Sequence, residues 1–220
     1  MIEPMDFLLW VRGSLFDVAV TVFVIGIIIR FFEILSLGRS KDLAEAKGTE
    51  FVPGIKTIIT RTLPEQGTFK RQPLTIIAGY VFHVGLLVSL VLFIPHIELF
   101  RQTFGFGWPG LPNPIVDAAA VLGIVGLLAA LWNRITNPVM KILTDNEDYL
   151  VWVLTFLPMI TGYLAYHRMV NPYPLILGLH ILSIELLMVF FPFTKLMHTF
   201  TLFLARWYNG AMSGRRGVES

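Results

Sequence analysis

The sequence predicts an all-α membrane protein: a bundle of five transmembrane helices forming a single domain over residues 1–220, with its N-terminus outside and its C-terminus cytoplasmic. Three observations predict it. Hydrophobic residues make up 55% of the 220 positions and charged residues only 15%, against roughly 25% charged in soluble domains. The apolar residues collect in blocks of about 18 to 25, the length a spanning helix needs, and the alternating ten-residue strands of a β-barrel do not occur. The basic residues are also lopsided. Of 17 Lys and Arg, only Arg12, Arg101 and Arg168 fall in segments read as external, and an excess of Lys and Arg marks the cytoplasmic side.

The first span covers 15–37. Asp17 lies near its start, and Arg30 and Glu33 lie near its end, close enough to the interface for their heads to reach water. The loop 38–72 carries seven basic residues, Arg39, Lys41, Lys47, Lys56, Arg61, Lys70 and Arg71, and is read as cytoplasmic. Within it, 51–63 is mildly amphipathic, with Ile55, Ile58 and Ile59 together, and fits a short helix lying on the membrane or under a partner. The second span, 73–97, contains His83 and reaches His96 just past Pro95. The segment 98–114 is rich in aromatics, Gly and Pro and is external. The third span is 115–132; Arg134 and Lys141 place the link 133–148 in the cytoplasm. The fourth is 149–166, followed by the external turn 167–174. The fifth runs over 175–207, with a kink expected at Pro192. The tail adds Arg215 and Arg216. Glu3 and Asp6 near the start, with no small-residue cleavage site, do not read as a cleaved signal peptide.

There is no cysteine, which excludes a disulfide framework, an iron–sulfur cluster held by this chain and thiol chemistry. Any such centre belongs to a partner. The net charge is +2, and the basic residues mark topology, not a nucleic-acid footprint.

The histidines carry the chemistry. His180 and His198 are eighteen residues apart. On an uninterrupted helix that is about five turns and about 27 Å, so both imidazoles would leave one face near opposite edges of the hydrocarbon core. This is the arrangement that holds two stacked haems, each still needing a second axial ligand from another helix. Depth along the spans pairs His83 with His198 on the inner side and His96 with His180 on the outer. Bis-imidazole ligation gives a b-type haem fitted for electron transfer. His83 and His96 are thirteen residues apart, roughly 220° round a straight helix, so they do not share a face unless Pro95 unwinds or kinks the helix end and swings His96 inward. His167 is either an interfacial histidine, a substitute for His96, or a proton acceptor near a quinone. Glu185 is either a buried acid, protonated or hydrogen-bonded to a neighbouring helix, or a proton relay. Gly123, Gly126 and Gly162 are expected to allow close helix packing. Trp108, Trp132, Trp152 and Trp207 fit aromatic belts.

At FHVG around His83, LH at His180 and FPFTKLMH ending at His198, the chain resembles the gamma subunit of respiratory nitrate reductase and its wider superfamily of five-helix b-type cytochromes. The resemblance runs over the whole chain and is strongest in the second and fifth spans. It implies two haems b carried by histidines of these spans, with His83, His180 and His198 as ligands. In the nitrate reductase subunit the second ligand of that span stands ten residues after the first, where this chain has Phe93. The longer spacing to His96 is more similar to gamma-like subunits of heterodisulfide-reductase-type complexes. The resemblance further implies quinol oxidation near the outer haem, with electrons passed to a cytoplasmic iron–sulfur or molybdenum partner, nitrate-reductase-beta-like or heterodisulfide-reductase-like, at a prokaryotic inner membrane. The expected contacts are then the lipid bilayer, the quinone pool and that partner, which would dock on loop 38–72 and the tail. Arg101, His167, Arg168 and Glu185 are the quinone-site candidates. The same wiring run in reverse reduces quinone. The competing class is a haem-free anchor or a transporter, which would show inverted repeats or helices broken at mid-membrane; neither is evident in the sequence.

Overall fold

In hydrocarbon every backbone amide and carbonyl must find its partner within the chain, so an apolar block of spanning length has the helix as its open-chain solution. The computed structural model describes residues 3–38 and 42–218. Arg39 and Lys41, counted above in the cytoplasmic loop, lie outside them. The described residues are helical, without strands. Five helices are long and apolar enough to cross a membrane: α1 (Pro4–Leu37), α4 (Pro73–Val91), α6 (Asn113–Thr136), α8 (Asn146–Tyr166) and α9 (Tyr173–Phe190). The shorter helices are α2 (Phe51–Thr60), α3 (Gln66–Arg71), α5 (Ile94–Phe104), α7 (Pro138–Leu143) and α10 (His198–Arg215). The protein is a multi-pass α-helical membrane protein in contact with the bilayer.

Three boundaries differ from the sequence expectation. The first helix begins at Pro4, not residue 15, because Pro4 suits the first turn of a helix and the following residues are apolar. It passes through a π-helical stretch, Val11–Leu15, where Gly13 takes the non-helical φ −102°, ψ −115°. The second span stops at Val91 instead of 97. Leu92 and Phe93 leave helical geometry, and Pro95 sits in the first turn of the separate α5. The fifth span, expected to run to 207, stops at Phe190. Two 3₁₀ turns, Phe191–Phe193 and Lys195–Met197, flank an extended Thr194 before α10 begins at His198. Pro192 is the cause: it lacks an N–H, and its ring clashes with the carbonyl four residues back. The five-turn register between His180 and His198 therefore does not exist, and neither does the common face inferred from it. Both interruptions follow a helix already about 27 Å long or more, the length of a full span.

The chain forms two compact units, Met1–Thr21 with Gln72–Val189, and Val22–Arg71 with Phe190–Ser220. In the first, α4 and α6 cross at glycines. A Cβ on Gly85 would strike the Ala119 carbonyl and come within 2.7 Å of the Gly123 Cα, and one on Gly126 would come within 2.9 Å of the Phe82 nitrogen. Small residues are what let two membrane helices approach this closely. The α8 helix lies against α6 through Met159 over Gly123 and through the Trp152 indole N–H, which donates to the Leu127 carbonyl at 2.8 Å. An Asp145–Asp148 capping box starts α8.

In the second unit, α2 seats on α10. Thr57 is fully buried, Trp207 covers Gly54, and Pro53 and Thr57 lie over Gly210. The seam is closed at its end by Arg215 on Glu50 at 3.1 Å, by the Lys47 N–H donating to the Arg215 carbonyl at 2.8 Å, and by Arg216 on Asp42 at 3.1 Å. Large apolar side chains of α2, Phe51, Val52 and Ile59, remain exposed.

Candidate functional site

The break after Val91 places His96 in the first turn of α5, where its Nδ1 sits 2.9 Å from the Ser89 carbonyl. His180 projects from the middle of α9 toward α8. Its ring lies on Gly162, where a Cβ would be 2.8 Å from the imidazole Cε1. Its Nδ1 is 3.3 Å from the Thr161 hydroxyl, which also reaches Ser183 Oγ at 3.2 Å. The two imidazoles are brought together: their centroids are 6.3 Å apart and their planes differ by 17°.

The 6.3 Å centroid separation matches that of two imidazoles sharing a metal. A metal–imidazole bond is about 2 Å long, and the ring centre lies about 1 Å behind the nitrogen, so two opposed axial imidazoles have centroids about 6 Å apart. The other ring nitrogens face a second requirement. A ligating histidine almost always engages its remaining nitrogen with a carbonyl, carboxylate or water, which fixes tautomer and orientation. His180 Nδ1 meets the Thr161 hydroxyl at 3.3 Å instead, while His96 meets the requirement through Nδ1 on the Ser89 carbonyl. So do His83, whose Nδ1 is 2.6 Å from the Gly79 carbonyl, and His198, whose Nδ1 is 2.7 Å from the Lys195 carbonyl. His83 belongs to the first unit and His198 to the second. The spacing of His96 and His180 and their Nδ1 contacts are compatible with two axial imidazoles on one metal. Among the described residues no group of three or more His, Cys, Asp or Glu converges; a bis-imidazole site needs only two.

His167 is engaged differently. It caps α8, and its Nε2 is 3.3 Å from Asp117 Oδ1 at the start of α6. Its ring packs between Tyr163 and Tyr166. A continuous aromatic row then leads back to the pair, with Tyr166 edge-on to Phe93 at 5.0 Å and Phe93 edge-on to His96 at 5.2 Å. His96 lies past the end of the α4 span, and burial holds its imidazole below the ordinary pKa, opposed by the Ser89 carbonyl; the neutral form is the ligating one.

The other candidates scatter. Arg101 pairs with Glu98 at 3.2 Å on the exposed side of α5. Arg168 holds a left-handed φ of 52°, with its guanidinium 5.3 Å from the Tyr173 ring centre. Glu185 is 2% exposed, and among the described residues neither carboxyl oxygen has a hydrogen-bond partner. Sequence reasoning did not find Asp117, Thr161 or Ser89. Asp117 looks like any acid in the first turns of a helix, where the dipole favours it.

No family model matches the chain, and no solved structure matches it. A protein of Nitratidesulfovibrio vulgaris strain Hildenborough, named only "Protein", is 32% identical over 139 residues. The match covers 63% of this chain, and the chain spans about 61% of that relative's length.

Proposed function

We propose that this chain is a dihaem cytochrome b subunit of the nitrate reductase gamma-like superfamily. It would join the quinone pool to a cytoplasmic iron–sulfur or molybdenum partner across a prokaryotic inner membrane. The observation that carries the reading is the near-parallel His96–His180 pair at 6.3 Å, with both Nδ1 atoms engaged elsewhere. When bound, the haems supply one-electron carriers on the two sides of the membrane. His96 and His180 would hold the outer one; for the inner one, His83 and His198 are the ligands that the resemblance alone implies.

The remaining chemistry lies with the chain's own side chains. Quinol oxidation releases two protons, which need an acceptor on the outer side. His167 is placed for it, with Asp117 orienting the ring and Tyr166 and Phe93 filling the space toward His96. The positive-inside bias puts loop 38–72 and α10 in the cytoplasm, where the α2–α10 unit faces the partner. Replacing His180 with Ala tests the reading. One of two haems should be lost and quinol oxidation abolished, whereas an unchanged haem content removes the outer pair from the account.

A further inference from the structure

A groove in the second unit has no role in the reading above. It lies along the last turns of α1, against the break after Phe190, and has a volume of about 350 Å³. One stripe of α1 builds it, at the three- and four-residue spacing of a helix face. Phe23 packs edge-on to Phe191 at 5.3 Å. Gly26 lets the break come close, since a Cβ there would be 2.5 Å from the Pro192 ring. Arg30 donates through Nε to the Pro192 carbonyl at 2.8 Å and through Nη1 to Glu33 Oε2 at 2.8 Å. Ile34, Phe193 and Met197 give the groove apolar walls. Met197 immediately precedes His198.

The polar end defines the ligand. Arg30 and Glu33 cancel each other's charge, so a phosphate head group would meet a neutralised guanidinium beside a carboxylate. Among the described residues the pair makes no further hydrogen bonds, which leaves a guanidinium N–H to donate and a carboxylate oxygen to accept. A flat, neutral head group with carbonyl or hydroxyl oxygens matches both. The volume is at the lower end of the roughly 300–1,000 Å³ of small-molecule sites, room for a ring while an isoprenoid tail runs into lipid. We propose that this groove binds the head group of a quinone or quinol, as a second site in addition to the outer one that the functional reading requires. The quinone carbonyl accepts from Arg30, and the quinol hydroxyl donates to Glu33.

The test is photolabelling of the purified full chain with an azido-naphthoquinone, followed by peptide mass spectrometry. Label is expected on the peptides bearing 30–37 or 193–201. It should be competed by excess unlabelled naphthoquinone and not by phosphatidylglycerol. Two variants should each lower it at least fivefold while leaving label elsewhere unchanged: Arg30→Met removes the donor, and Ile34→Trp fills the groove without touching the charges. Absence of label from both peptides, label indifferent to both variants, or competition by phosphatidylglycerol alone overturns the site. The readout needs no haem, so a haem-free chain that still labels here would sink the cytochrome reading and leave this one standing. A dihaem chain without this label would do the reverse.

Discussion

Gly162→Ala is the sharpest probe of the outer pair, because the change is a single methyl aimed at a single ring. In an ordinary helix, Gly to Ala stabilises by about 0.5–1 kcal/mol. Here the new Cβ would stand 2.8 Å from His180 Cε1 and 3.2 Å from its Nδ1, where carbon contacts prefer about 3.5–4.0 Å. The ring must therefore retreat by about 0.7 Å or more, away from the Thr161 hydroxyl at 3.3 Å and out of the 6.3 Å spacing to His96. Overpacking of this kind costs about 1–3 kcal/mol. Set against the helix gain, the net loss is near 1 kcal/mol, roughly 2–4 °C in Tm for a chain of this size. The effect on stability is small while the effect on the ligand is large, and the assay separates them. Haem per chain and the reduced-minus-oxidised spectrum should show the outer haem lost or its band shifted, in protein that still purifies as wild type. A variant with higher Tm and an unaltered two-haem spectrum would refute the idea that Gly162 positions a ligating ring.

Other outcomes follow from the same geometry. His96→Ala should remove one haem and His167→Ala none, as measured by pyridine haemochrome; the opposite result would exchange their roles. Asp117→Asn should leave haem content intact and slow quinol oxidation roughly 10–100-fold, with its pH profile displaced, since an orienting partner of a functional histidine is worth about that much. Gly85→Val should cost about 3 kcal/mol or more, because the intruding atoms meet backbone of Ala119 and Gly123 that cannot yield; thermal unfolding in detergent reads it. Asp42 is held below the ordinary carboxylate range, first by the Ala44 N–H and then by Arg216. A lowered folded pKa means that its contribution is present above the unfolded pKa and is lost as pH falls through the folded one. Asp42→Asn mimics the acid form and should speed tryptic cleavage after Arg216 at pH 8.

The five spans were legible because each is an apolar block of bilayer length, and Pro95 and Pro192 marked where two of them fail. The extent of the second failure was not legible. Phe191, Pro192, Phe193, Leu196 and Met197 keep the segment apolar, and apolarity alone does not tell a helix from a 3₁₀ turn and an extended residue. Carrying the period through it produced a His180–His198 face that the fold does not have. That His96 and His180 lie near each other was legible from depth along the spans. The supports of the two rings were not: Thr161 stands 19 residues from His180, the Ser89 carbonyl reaches His96 only because the chain breaks between them, and Gly162 reads as a packing glycine until the ring above it is seen. The orphaned carboxyl of Glu185 was legible as a buried acid, but the sequence says nothing of what surrounds it.

The most direct test of the central claim is haem b per chain in the purified protein, with the low-temperature reduced-minus-oxidised spectrum to resolve the two centres. The account predicts two haems per chain with distinguishable bands, one of which disappears in His180→Ala. A folded, membrane-extracted chain with no haem would contradict it outright.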